Sequence, residues 1–238
     1  MAGAIRPPWI DKKDFYHLPF NYCDRWCERC NLTEICKVFQ DEQKSREKWI
    51  KQGKDPDSWE YVFVTVKESF EKTMRLIEKG AKKWGIDLSK IDDSDYEPPP
   101  EPEKFPLYNL VEKFSKRLEK LLKNLEIVPI ETNERLVLEN MEVISHYQPL
   151  IRAKIYRALT SRLEDEKEKD PELRTFDAET SAFIVVNGLI SVGEALANLA
   201  EHKPLRPLRS KMVRLGKASL DLAKIINLEF NLSEEGKN

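Results

Sequence analysis

From Leu107 onward, apolar residues recur every three or four positions, and that spacing restricts the C-terminal half of the chain to packed helices. Leu107, Leu110, Val111, Phe114, Leu118, Leu121, Leu122 and Leu125 form one stripe, with Lys and Glu opposite. The same period predicts a helix over 133–168 that carries Met141, Ile144, Ile151, Ile155 and Leu159. Pro149 in its middle should kink it. Asp177 is placed to cap a further helix reaching His202, and Pro207 suits the first turn of a last one ending near Phe230. Four long helices with short connections imply an antiparallel bundle. Leu110, Phe114, Leu118, Leu121, Ile144, Ile155, Phe183, Val186, Leu189, Leu196, Met212, Leu215 and Ile225 are expected in its core. Only 8 of the 238 residues are glycine and no strand-like alternation is present, so the expected fold class is all-α.

Upstream, 33–52 reads as a helix capped by Thr33 and stopped by Gly53. Asp57 and Glu60 make a capping-box-like start for another, which reaches Trp84 and ends at Gly85. The stretch 92–106 is rich in proline and acid and favours an extended connector. The expected division is a cysteine-containing helical segment over 1–91, the connector over 92–106, and a four-helix bundle over 107–238 with the N-terminal part packed on it.

Charge excludes little by itself. The 40 basic residues are balanced by 42 acidic ones, so nucleic-acid or membrane binding would have to come from a local patch. No apolar stretch follows Arg6, which argues against a signal peptide. The most apolar segment, 181–200, contains Asn187, Glu194 and Asn198, and these suit a buried core helix better than a membrane span. The expected location is therefore the cytoplasm, away from membranes. Thiols stay reduced there, and clustered cysteines mean metal or redox chemistry rather than disulfides.

The chain has 4 cysteines, Cys23, Cys27, Cys30 and Cys36, all within one short stretch. Four soft thiolates complete the coordination of either zinc or a 4Fe–4S cluster. Structural zinc usually takes two separated Cys-x2-Cys knuckles, whereas this segment has one, Cys27 and Cys30. Cys23 and Cys36 flank it at wider spacings. A cubane is larger than a single ion and suits ligands spread along a loop that then enters a helix bearing Cys36. The four cysteines are thus assigned as ligands of one metal centre, preferentially a 4Fe–4S cluster, with zinc as the alternative.

Cys27-x2-Cys30-x5-Cys36, preceded by one more cysteine, resembles the cluster loop of the endonuclease III and adenine glycosylase family. It also resembles the cysteine staple of certain recombination and CRISPR-associated nucleases. Those resemblances imply a 4Fe–4S cluster. No helix–hairpin–helix and no nuclease carboxylate–lysine motif accompanies the loop, so they imply the cofactor and not the activity. Cys23-x3-Cys27-x2-Cys30 is also similar to the radical S-adenosylmethionine triad, but that class needs a βα barrel and no βα alternation is present. Over a longer stretch, Phe20-Asn-Tyr-Cys-Asp-Arg-Trp-Cys-Glu-Arg-Cys, with Glu142-Val-Ile, Lys154 and Arg157, resembles a group of bacterial helical proteins with no assigned activity.

Other chemistry is sparse. Glu139, Glu142 and His146 share one helix face and are the residues a second metal site in the bundle would use. No Glu-x2-His pair supports a di-iron site, and the period places these residues on the polar, solvated side, away from Met141, Ile144 and Ile155. His17 and His202 are isolated. Lys203, Arg206, Arg209, Lys211, Arg214 and Lys217 crowd the start of the last helix with no acid among them, against the preference of the helix dipole. Such a patch suits an anion or nucleic acid, and Arg25 and Arg29 would extend it. Three functional readings follow. One is a structural or redox iron–sulphur protein serving a redox partner. Another is a zinc-stabilised nucleic-acid-binding module. The third is an oxidative enzyme with a second metal in the bundle. Nothing in the sequence assigns catalytic residues, a substrate or an oligomeric state.

Overall fold

The computed structural model describes residues 5–17, 19–90, 97–125, 135–167 and 177–232. The described residues form seven α-helices and no β-strand: α1 (Lys12–His17), α2 (Lys37–Lys51), α3 (Trp59–Trp84), α4 (Pro106–Leu125), α5 (Arg135–Lys167), α6 (Asp177–Glu201) and α7 (Arg209–Glu229). The chain divides into two compact units, one built from Met1–Cys36 and Pro100–Asn238, the other from Lys37–Pro99. All four cysteines thus belong to the unit that contains the bundle. Part of the acidic connector, 92–96, lies outside the described residues, as do the expected helix ends Asn133 and Glu168.

In the first unit α6 packs against both α5 and α7, and α4 closes the bundle chiefly against α5. The central place of α6 follows from its composition. Sixteen of its residues are buried, and they occupy nearly every side of the helix. It is the one helix among the described residues long and apolar enough to cross a membrane, and most of its apolar stretch is buried inside the protein. Small residues let its neighbours approach. Gly193 of α6 and Gly216 of α7 face one another, each 3.5 Å from the other's carbonyl oxygen measured from where a Cβ would stand. The Ser219 hydroxyl donates to the Leu189 carbonyl at 2.7 Å across the same crossing. A Cβ on Gly188 would meet the Tyr147 ring at 2.8 Å, so this glycine makes room for that tyrosine on α5.

Pro149 lies inside α5 and deprives the Ser145 carbonyl of its helical donor. Beside it, the Ser115 hydroxyl of α4 donates to the Gln148 carbonyl at 3.0 Å, and the Gln148 amide returns a bond to the Ser115 oxygen at 2.9 Å. This ties α4 to α5 at the proline.

The core matches the apolar stripes at most positions, with informative exceptions. Leu110 and Ile225 are exposed. Each has an apolar neighbour, Val111 or Ile226, that takes the inward position, because the helix can turn only one of the two toward the core. Phe183 is half-buried at the rim, edge-on to Trp9 at 5.5 Å. The last helix begins at Arg209, after a 3-10 turn over Lys203–Leu208 that accommodates Pro204 and Pro207. Thr33 does not cap a helix. Residues 31–35 form turns, the Cys36 amide bonds the Leu32 carbonyl at 3.0 Å, and α2 starts only after Cys36.

The second unit is a pair of helices. Ser58, rather than Asp57, caps α3 by accepting from the Tyr61 amide, while Asp57 pairs with Arg46 of α2 at 2.6 Å. Gly85 ends α3 in the left-handed conformation (φ 69°), which costs glycine little. Trp49 of α2 packs edge-on against Tyr61 of α3 at 5.5 Å.

Candidate metal centre

The cysteine loop is held by contacts that begin with the residues between its cysteines. Arg25 adopts a left-handed conformation (φ 62°), an arrangement that strains a non-glycine residue and needs support from its neighbours. That support comes from Asp24, whose side chain accepts from the Trp26 amide at 3.0 Å and closes a short turn over Arg25. Asp24 is buried, only 4% exposed. Its other carboxylate oxygen accepts the Tyr147 hydroxyl at 2.6 Å. Burial, reinforced by the adjoining Asp24 charge, raises the Tyr147 pKa well above the usual tyrosine range, so the hydroxyl remains a donor.

Trp26 lies buried on the same surface. Its ring stacks on His146 at 4.2 Å and meets Tyr147 edge-on at 5.9 Å, with the Arg29 guanidinium 4.2 Å above its centroid. The ring nitrogen Nε2 of His146 lies 3.2 Å from the Asp24 carbonyl oxygen. Arg29 forms an ion pair with Glu142. Glu142, His146 and Tyr147 are thus one docking face of α5, and the cysteine loop is what they hold. Glu142 and His146 lie on the polar side of α5 as the period leads one to expect, but that side also carries the loop. Glu142 stays exposed yet is engaged by Arg29, and His146 is half-covered by Trp26. Glu139 pairs with Arg135 of its own helix at 2.6 Å.

One of the sulphurs is aimed at by a backbone amide: the Leu32 amide lies 3.4 Å from Cys30 Sγ. The Cys27–Cys30 knuckle is a tight turn, with the Cys30 amide on the Cys27 carbonyl at 3.2 Å. The Cys23 thiol itself lies 3.4 Å from the Phe20 carbonyl oxygen. Burial raises its pKa, against the opposing pull of the Arg25 amide and charge. Cys23 and Cys36 are close enough for their charges to act on each other, and Lys154 of α5 lies within reach of the Cys23 charge.

Cys23 is buried, Cys27, Cys30 and Cys36 are half-buried, and no disulfide joins any of them. Among the described residues, no three of His, Cys, Asp and Glu are gathered at metal-holding distance. The four sulphurs therefore do not converge as the spacing leads one to expect, and Cys36 precedes α2 instead of riding on it. The loop supplies four thiols, the donor number and type that a four-thiolate centre needs, with a backbone amide on Cys30.

Beside the loop an open cleft of about 450 Å³ is lined by Asn21 and Tyr22, by Arg157, Ser161 and Glu164 of α5, and by Asp177 and Thr180 of α6. Arg157 grips Asp177 through two bonds, 2.7 and 2.8 Å, and the Ser161 hydroxyl donates to the same carboxylate at 2.8 Å. Burial alone would raise the Asp177 pKa, but these donors outweigh it and hold the group below the usual carboxylate range. Residues 203–217 lie elsewhere on the unit. Lys203, Arg206, Arg209, Arg214 and Lys217 are exposed, Lys211 is half-buried, and Arg209 pairs with Glu201 at 2.9 Å. No side chain caps the start of α7. His202 sits just before the 3-10 turn and His17 ends α1.

The docking contacts were hard to see in advance because they join residues more than a hundred positions apart. The one signal was the aromatic and charged content of Asp24-Arg-Trp-Cys-Glu-Arg, which is unusual for a loop that only has to supply ligands. In comparison with known proteins, the chain matches no family model, no curated protein and no solved structure.

Proposed function

We propose that Cys23, Cys27, Cys30 and Cys36 together hold one metal centre, a 4Fe–4S cluster, that fastens the N-terminal segment to the bundle and serves as a structural or redox group. The observation that carries this reading is that four free thiols sit on one short loop, with the Leu32 backbone amide directed at Cys30 Sγ at 3.4 Å. Amide donors stabilise sulphur in its anionic, metal-binding form and tune the potential of a cluster. The rigid mounting on α5 through Asp24, Trp26 and Arg29 supports the same reading, since a centre works only when its ligands are held in place.

Elemental analysis and absorption spectra of anaerobically purified protein test it. Iron and acid-labile sulphide in 4Fe–4S proportion, with broad visible absorption, are expected. Colourless protein with one zinc per chain would replace the cluster by the alternative metal. Protein holding neither would overturn the reading.

A second reading, nucleic-acid binding by the basic segment, is favoured by the exposure of five of its six cations at an uncapped helix start. Its signature is binding that weakens steeply with salt.

A further inference from the structure

Within its own unit, helix α3 presents an apolar seam that the described residues of that unit leave uncovered. From 66 to 79 every residue of the helix is exposed. Yet Trp59 is 77% exposed, Phe63 and Phe70 are each 69% exposed and Trp84 is 73% exposed, with Val66 and Ile77 between them. Tyr61, which packs on Trp49 of α2, lies across the helix from this seam. An isolated helix in water is marginally stable, and a broad exposed apolar patch marks an interaction surface.

The spacing of the seam identifies what covers it. Phe63, Phe70, Ile77 and Trp84 recur every seven residues, and Trp59, Val66, Thr73 and Gly80 recur every seven on the adjoining row. These are the two core positions of a heptad repeat, the pattern of helices that wrap around one another. We infer that α3 pairs antiparallel with α3 of a second copy of this chain, through the seam from Trp59 to Trp84.

The layers of that pairing match by size. With the two helices running in opposite directions and Trp59 level with Trp84 of the second copy, Phe63 comes level with Gly80, Val66 with Ile77, and Phe70 with Thr73. Each phenylalanine meets a small partner. A parallel pair would instead stack like on like, with Phe63 on Phe63 and an empty layer at Gly80. A Cβ added to Gly80 meets no atom within 4 Å in a single chain, so there is room above this glycine for a side chain of the second copy. Charge selects the same direction. Residues 59–71 hold Glu60, Glu68 and Glu71 against Lys67. Residues 72–84 hold Lys72, Arg75, Lys79, Lys82 and Lys83 against Glu78. Antiparallel pairing sets the acidic half of each helix beside the basic half of the other. An aromatic side chain buries about 150–250 Å², so four of them with Val66 and Ile77 approach the ~800 Å² per partner of a stable interface.

Sedimentation equilibrium of the full chain, under reducing conditions and at micromolar concentration, tests the pairing. The expected mass is twice the 27.9 kDa of one chain. Phe70→Glu puts a charge into the seam of both copies and should weaken association by about 100-fold or more. Gly80→Phe has open space in the single chain but collides with Phe63 of the second copy, so it should yield monomers that keep their helical circular dichroism. Adding Phe63→Ala to Gly80→Phe reverses the size match and should restore dimers. A monomeric wild-type protein would overturn the inference. So would a dimer indifferent to Phe70→Glu, or one that Gly80→Phe leaves intact.

Discussion

Cys30→Ala is expected to abolish uptake of the metal centre and to release the N-terminal segment, while the bundle stays folded. The loop between Phe20 and Cys36 is rich in polar side chains, and Cys23, Asp24 and Trp26 are its only buried residues. Ordering each residue costs about 1–2 kcal/mol of backbone entropy. Metal–thiolate bonds of the proposed centre would offset that cost; in small zinc peptides they are worth on the order of 10 kcal/mol. Cys30 holds a middle place in the set, and its sulphur is the one that the Leu32 backbone amide supports. The bundle draws on a separate source of stability. Leu118, Leu121, Ile144, Ile155, Leu189, Leu196 and Met212 are all fully buried without any contribution from the cysteines. Limited proteolysis of the variant should show new cleavage before residue 37, with most of the helical circular dichroism retained. Global loss of helicity would place the centre inside one cooperative core instead.

Among substitutions in the loop that leave all four cysteines in place, Trp26→Ala should have the largest effect on stability. Trp26 is buried in the main core cluster, stacked on His146 and edge-on to Tyr147. Truncating a buried tryptophan costs about 3–5 kcal/mol, of the order of a third or more of a domain's net stability. The consequence reaches beyond the cavity. Arg29 loses the ring it covers, and the Asp24 turn loses the weight that holds it against Tyr147. Denaturant unfolding should show a lowered midpoint, and metal content should fall even though all four cysteines remain. By contrast, Glu142→Ala removes only an exposed ion pair to Arg29 and should shift stability by well under 1 kcal/mol. If the two variants behaved alike, the loop would be anchored by charge and not by the buried ring.

Much of the fold was legible in the sequence, because helical spacing directly reports which face is buried. The α4 stripe and the nearly all-apolar α6 identify the bundle and its central member. The neighbouring pairs Leu110/Val111 and Ile225/Ile226 could not be resolved, since either residue satisfies the period and only packing chooses. The boundary of the helical pair over Lys37–Pro99 was legible at the acidic connector but not at its other end. Cys36 passes into Lys37 with no proline, glycine or change in composition. The polar face of α5 was legible as polar, but its contacts were not. Periodicity reports which side faces the core, not that Glu142, His146 and the Tyr147 hydroxyl receive a loop through an ion pair, stacking and a buried hydrogen bond. Such contacts leave no period. The four cysteines were evident from clustering alone; the amide directed at Cys30 depends on the backbone path just after it, which spacing does not report.

A metal centre shared by four cysteines of one loop, as proposed, has a direct spectroscopic signature. X-ray absorption at the edge of the metal that copurifies with the protein addresses it most directly, whether that metal is iron or zinc. Coordination by sulphur alone is the expected result, with the signal lost in Cys30→Ala. Nitrogen or oxygen donors in the first coordination shell, or a metal still bound when Cys30 is removed, would contradict it.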